Sequence, residues 1–67
     1  MDFGENLKTL RESKGMSQAE LAESLGITQS IIAQYEAGAK FPNVNLAAKI
    51  AKTLGVTVDT MLQKGAQ

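Results

Sequence analysis

Residues Ser17 to Gly38 read SQAELAESLGITQSIIAQYEAG, and this stretch spells out the beginnings and ends of two short helices. Ser17 is an N-cap residue with Glu20 three positions on, the spacing of a capping box in which each side chain serves a backbone N–H that the helix leaves without a partner. Leu21, Ala22 and Leu25 recur at helical spacing, and Gly26 supplies the left-handed residue that stops the helix. The pattern restarts at Thr28, a second N-cap. Ile27 before it and Ile32 after it hold the two positions of a hydrophobic staple, and Gly38 closes the helix that carries Ile32, Tyr35 and Glu36. Only Gly26 to Thr28 remains between the two helices.

Two helices joined by so short a glycine-containing turn cross steeply, the geometry of a helix-turn-helix over residues 17–38, and the second of them projects from the body of the domain. On its wheel Ile32, flanked by Tyr35 and Glu36, faces inward, while Ser30, Ala33, Gln34 and Ala37 face outward. The outward set is small or polar and carries no charge. A merely solvated face usually carries Lys and Glu, whereas Gln and Ser donate and accept at once, as base edges require. Spacing alone leaves two readings: nucleic-acid recognition, which the uncharged face favours, and an ordinary wet helix in a small bundle.

Sixty-seven residues make one domain, 1–67, whose core is marginal unless its helices are well capped or the protein associates. With 43% hydrophobic and 21% charged residues the composition is that of a soluble globular chain. No apolar run approaches the ~20 residues of a membrane span and no secretory leader pattern opens the chain, so the expected location is the cytoplasm without membrane contact, and on the nucleic-acid reading at the nucleoid. The sequence has no cysteine and no histidine, which removes disulfides, thiolate sites, the commonest general base and the commonest metal ligand. No metal, cofactor or small-molecule ligand is implied.

Around the central stretch, a first helix reads from Asp2, a candidate N-cap, to Lys14, with Gly15 at its stop and Phe3, Leu7 and Leu10 as its buried stripe. Gly4 weakens the start of that helix. Lys8 and Glu12 pair at a spacing of four on an exposed face. Arg11 adjoins the apolar stripe, and is either a surface charge or the partner of Glu36, the one acid on the inner side of the projecting helix. Met16 and Leu21 staple the second helix; Gln18 follows its cap, at a terminus that favours an anion, and reads as a phosphate contact or as an unremarkable exposed side chain. Phe41 is expected as a core anchor. A fourth helix begins at Asn43 after Pro42, turns Leu46, Ala47, Ile50, Ala51 and Leu54 inward with Lys49 and Lys52 outside, and stops at Gly55. A fifth is stapled by Val56 and Met61 around the Thr57 cap, carries Asp59 in its first turn and ends at Gly65. Its Val58, Met61 and Leu62 either build an interface or lie in the core, with Leu62 the firmest candidate for the core.

Taken as Arg11, Gly15-Met16-Ser17-Gln18, Leu21-Ala22, Leu25-Gly26-Ile27-Thr28, Ile32, Tyr35-Glu36, Gly38 and Pro42, with a tail of Ile50-Ala51, Leu54-Gly55-Val56-Thr57, Asp59 and Leu62, the chain resembles the lambda-repressor-like, Cro/C1-type (Xre) helix-turn-helix family over nearly its whole length. The resemblance implies an all-α fold of five compact helices that binds double-stranded operator DNA, usually as a homodimer on a near-palindrome, in a repressor-like transcriptional regulator. Position by position it implies that Gln29, Ser30 and Gln34 face base edges, with Ile31 near a thymine methyl. Gln18, Thr28 and Lys40 would meet phosphates together with backbone N–H groups after the third helix, and Arg11 and Glu36 would form an internal ion pair. The chain departs from the family in having Ile31 and Ala33 where polar residues are common, and Ala47 where a larger apolar residue is usual, which predicts a thinner core near the fourth helix.

Charge pulls the other way. Residues 16–42 hold Glu20, Glu23 and Glu36 against Lys40, and the whole chain is neutral, so many Lys and Arg contacts to phosphate are excluded. The alternative is a protein–protein interaction module, antitoxin-like or an adaptor, that keeps the fold. Catalysis is the weakest reading, because no nucleophile–base pair can be assembled: Ser17, Ser30 and Tyr35 are better read as a cap, a groove contact and a core residue.

Overall fold

The computed structural model describes residues 3–62, which form five helices: α1 (Phe3–Ser13), α2 (Gln18–Leu25), α3 (Gln29–Glu36), α4 (Val44–Leu54) and α5 (Val58–Leu62). The expected N-cap at Asp2 and the expected stop at Gly65 lie outside the described residues. Each of the caps at Ser17, Thr28 and Asn43 accepts a backbone N–H three residues on, and at Ser17 the reciprocal bond from the backbone to Glu20 is present as well. At the end of α2, Gly26 has φ +72°, and the N–H groups of Gly26 and Ile27 return to the carbonyls of Glu23 and Ala22. This closure leaves three residues to reach Gln29, so the chain reverses without a loop.

Leu7, Leu21, Ile32, Ile50, Leu54 and Met61 are fully enclosed, and Phe3, Ala22, Tyr35 and Ala51 complete the core. α2 packs on α3, α1 on α3 and α5, and α4 on α5 and α2, so α3 is held from two sides and its remaining face is left to solvent. Two residues lock α1 in place: Gly4, which the sequence marks only as a weak helix former, and Asn6, which the sequence pattern does not single out. Gly4 lies so close to the end of α3 that a Cβ there would stand 2.6 Å from the Glu36 carbonyl oxygen and 2.7 Å from that of Tyr35. Asn6, 1% exposed, donates from Nδ2 to the carbonyl of Met61 at 2.6 Å and joins α1 to α5.

Two expectations are corrected. Phe41 is no core anchor: it is 69% exposed, on the segment between α3 and α4, with its ring tilted against Phe3 at a centroid distance of 6.2 Å. Leu62 is 60% exposed, because α5 turns Met61 into the core and the next residue, about 100° further round the helix, faces out. Met61, with no exposure, is correspondingly core rather than interface. Beside the short Ala47 side chain a groove of about 160 Å³ is lined by Phe3, Phe41, Pro42, Val44, Val58 and Leu62.

Candidate nucleic-acid interface

The start of α2 is fastened from below by a charged cluster. Arg11 donates from Nε to Glu36 Oε2 at 2.6 Å and from Nη2 to Glu36 Oε1 at 3.1 Å, a two-pronged pair whose side chains are 9% and 6% exposed. The third arm of the guanidinium, Nη1, donates to the carbonyl of Met16 at 2.7 Å, just ahead of the Ser17 cap. Gln18 Nε2 donates to the same Glu36 Oε1 at 3.0 Å. Both sides of the cap are therefore bound to one carboxylate through α1 and α3.

This arrangement sets the charge states. Burial pushes the Glu36 carboxyl up, but the hydrogen bonds from Arg11 and Gln18, helped by the charges of Arg11 and Lys8, outweigh it and hold the group below its ordinary value near 4.5. The hydrogen bond to Glu36 raises Arg11 against the opposing effect of burial, and the nearby charges of Glu36 and Glu12 add to the rise. The pair is ionised on both sides at neutral pH. The two opposite charges stand 2.6 Å apart, so the pair itself adds no net charge at the foot of α2.

The residues nominated from the sequence take different places. Gln29 and Ser30, in the first turn of α3, are exposed. Ile31 is half-buried and packs against the core, and Ala33 is half-buried as well. Gln34 is half-buried, with an Oε1 that is enclosed and accepts no hydrogen bond among the described residues. Thr28 is exposed and its Oγ1 accepts from the N–H of Ile31 at 3.3 Å, so the hydroxyl serves as the cap. Lys40 is exposed. The backbone N–H groups of Gly38, Ala39 and Lys40 return to the carbonyls of Tyr35 and Gln34 and close α3. The link between Gln18 and Glu36 joins two residues that the sequence pattern places separately. The available signal was one acid and one amide at the ends of consecutive helices.

The exposed, uncharged first turn of α3 beside the tethered first turn of α2 can be set against known proteins. Residues 7–61 match the helix-turn-helix family. The chain belongs to the Cro/C1-type branch of that family. It is 43% identical over 61 residues to the SPbeta prophage-derived uncharacterized HTH-type transcriptional regulator YonR of Bacillus subtilis (strain 168), covering 91% of this chain and 56% of that protein. The chain spans about half the length or less of the curated relatives first matched, which run from 30% to 56% covered. Among solved structures, the P22 c2 repressor in complex with a synthetic operator superposes with a TM-score of 0.89 at 25% identity, over 94% of this chain and 96% of that one. SinR, the master regulator for biofilm formation solved in complex with DNA, gives 0.85 at 32% identity over 91% and 98%. The five-helix, all-α architecture is that of the lambda-repressor-like domains, and no described helix is long and apolar enough to cross a membrane.

Proposed function

We propose that residues 1–67 form a single DNA-binding domain of a transcriptional regulator, repressor-like in its mode of action, that sets the first turn of α3 in the major groove of an operator. The observation that carries this reading is the exposure of Gln29 and Ser30 at an uncharged helix end flanked by the tethered start of α2. The solved operator and DNA complexes of P22 c2 and SinR, which this chain matches over nearly its whole length, support it. Gln29, Ser30 and Gln34 face base edges and Ile31 lies against a thymine methyl, while Gln18, Thr28 and Lys40 meet phosphates. Such a protein works on the chromosome in the cytoplasm. Two copies bind a near-palindrome, with half-sites about 34 Å apart.

Selection of bound sequences from a random oligonucleotide pool tests the reading, and enrichment of a palindrome is the expected result. Within the enriched site, Gln29→Ala relaxes preference at particular base pairs, by about 1 to 3 kcal/mol of discrimination, and leaves the salt dependence unchanged. Lys40→Ala weakens binding to all sequences alike and lowers the salt slope by about one unit. Uniform loss in the Gln29 variant sinks the assignment of the base-reading face. A second reading, a protein-binding module, is favoured by one observation, the exposed Phe41, Val44 and Leu62. A pool that yields no enriched site decides for it.

A further inference from the structure

Met16, Arg11, Glu36 and Gln18 form one unbroken run of hydrogen bonds, from the carbonyl before the α2 cap, through α1 and α3, and back to the side chain just after the cap. Gln18 is partly exposed and keeps hydrogen-bond donors and acceptors to spare. Its Nε2 carries two N–H bonds, of which Glu36 takes one; the other, and Oε1, have no partner among the described residues. A glutamine at a helix start ordinarily samples many rotamers and must give up that freedom when it binds. Here the amide is already held at 3.0 Å by a carboxylate that is itself fixed at two points.

We propose that Glu36 is a positioning residue for DNA binding: it holds the Gln18 amide so that its second N–H meets a backbone phosphate at the start of α2. The proposal rests on the DNA-binding reading above. An anionic side chain beneath a phosphate would ordinarily repel it, and Arg11 removes that obstacle by pairing with both Glu36 oxygens. The first-turn N–H groups of α2 lie beside the same amide, so the phosphate meets aligned donors rather than a charge. Because α3 carries Glu36 and α2 carries Gln18, the same bond fixes the phosphate contact relative to the base-reading helix. Glu36 therefore touches no DNA and acts through Gln18.

Affinities for the enriched palindrome test this, measured on the full chain below the melting temperature of every variant. Gln18→Ala loses about tenfold in affinity, the value of one hydrogen bond to a charged group. Glu36→Asp keeps a charge beside Arg11 but is one methylene too short to hold Gln18 as well, and loses a comparable factor. The double variant binds no more weakly than Gln18→Ala. Losses that multiply to about a hundredfold overturn the proposal, since Glu36 would then act by another route. Undiminished affinity in Gln18→Ala also overturns it, yet leaves the DNA reading intact if the palindrome is still enriched; a pool without enrichment overturns the DNA reading itself. The unmodified chain supplies a measurement that needs no variant. In nitrogen-resolved spectra one Gln18 side-chain N–H exchanges with water more slowly than either N–H of exposed Gln29, and operator DNA shifts its geminal partner. Equal, fast exchange of both Gln18 protons refutes the tether.

Discussion

The unit from Ser17 to Gly38 and the edge formed by Phe41, Val44 and Leu62 follow opposite rules. In the first, every apolar side chain larger than alanine is buried or half-buried, the caps bond their own backbones, and the one inward acid is paired with Arg11 and bonded by Gln18. In the second, three large apolar side chains stand 69%, 82% and 60% exposed around a groove with no charged lining residue among the described residues. Burying such surface is worth roughly 25 cal/mol per Å², so a chain this small gives up stability by leaving it outside. The difference teaches that the first unit is built to hold a shape, while the second leaves apolar surface that, in the dimeric reading, a second copy of the chain covers.

The comparison breaks first at Arg11. Arg11→Ala leaves Glu36 enclosed without its counter-charge and should cost about 3 kcal/mol, against under about 1 for an exposed pair. Thermal melts of Arg11→Ala, Glu36→Ala and the double variant measure it; single losses of a few tenths of a kcal/mol that add would mean that the cluster does not hold α2. The same pair sets a pH dependence. Glu36 is depressed in the folded chain, so its contribution is complete above the unfolded value near 4.5 and is lost as pH falls through the lower folded value. Urea midpoints should therefore decline in acid more steeply for the parent chain than for the Glu36→Gln variant, and parallel declines would refute the linkage.

Gly4 comes next. Helix propensity alone says that Gly4→Ala stabilises α1 by about 1 kcal/mol. Its Cβ would meet two backbone oxygens that have no rotamer to yield, so the expected outcome is a net loss of about 1 to 3 kcal/mol in denaturant unfolding. The sign of the change decides between the two accounts.

Gly4 also marks where the sequence stops being legible. Caps and helix stops are local agreements among residues three or four apart, so Ser17, Gly26, Thr28 and Asn43 could be read directly. The inward faces of α3 and α4 followed from a 3.6-residue period. Gly4, Asn6 and the Gln18 to Glu36 bond depend on which elements meet in space, across 18 to 55 residues of sequence, and no local pattern carries that information. Phe41 and Leu62 were assigned to the core because aromatic and branched side chains usually are inside. The structure places them where no described helix covers them.

The smallest expected effect sharpens the same contrast. Phe41→Ser and Leu62→Ser should each change stability by no more than about 0.5 kcal/mol, since their side chains are mostly solvated already. They should nevertheless weaken pairing of two copies on a palindromic operator, seen by sedimentation as a shift from two protomers per duplex towards one. A 1:1 complex of the parent chain would end the dimer reading, and unaltered pairing in both variants would place the interface elsewhere.

The bond from Asn6 to the Met61 carbonyl has a consequence for the order in which the chain assembles. The described part of α5 has five residues, a span too short to survive as a helix alone in water, and Met61 is its one enclosed side chain among them. It can form only on a surface that α1 and α4 have already built, and the Asn6 bond spans 55 residues. α5 is therefore the last piece to dock and the first to let go. Its amide protons should exchange through local openings that leave α2 and α3 closed, so those two helices are insulated from the opening of the fifth.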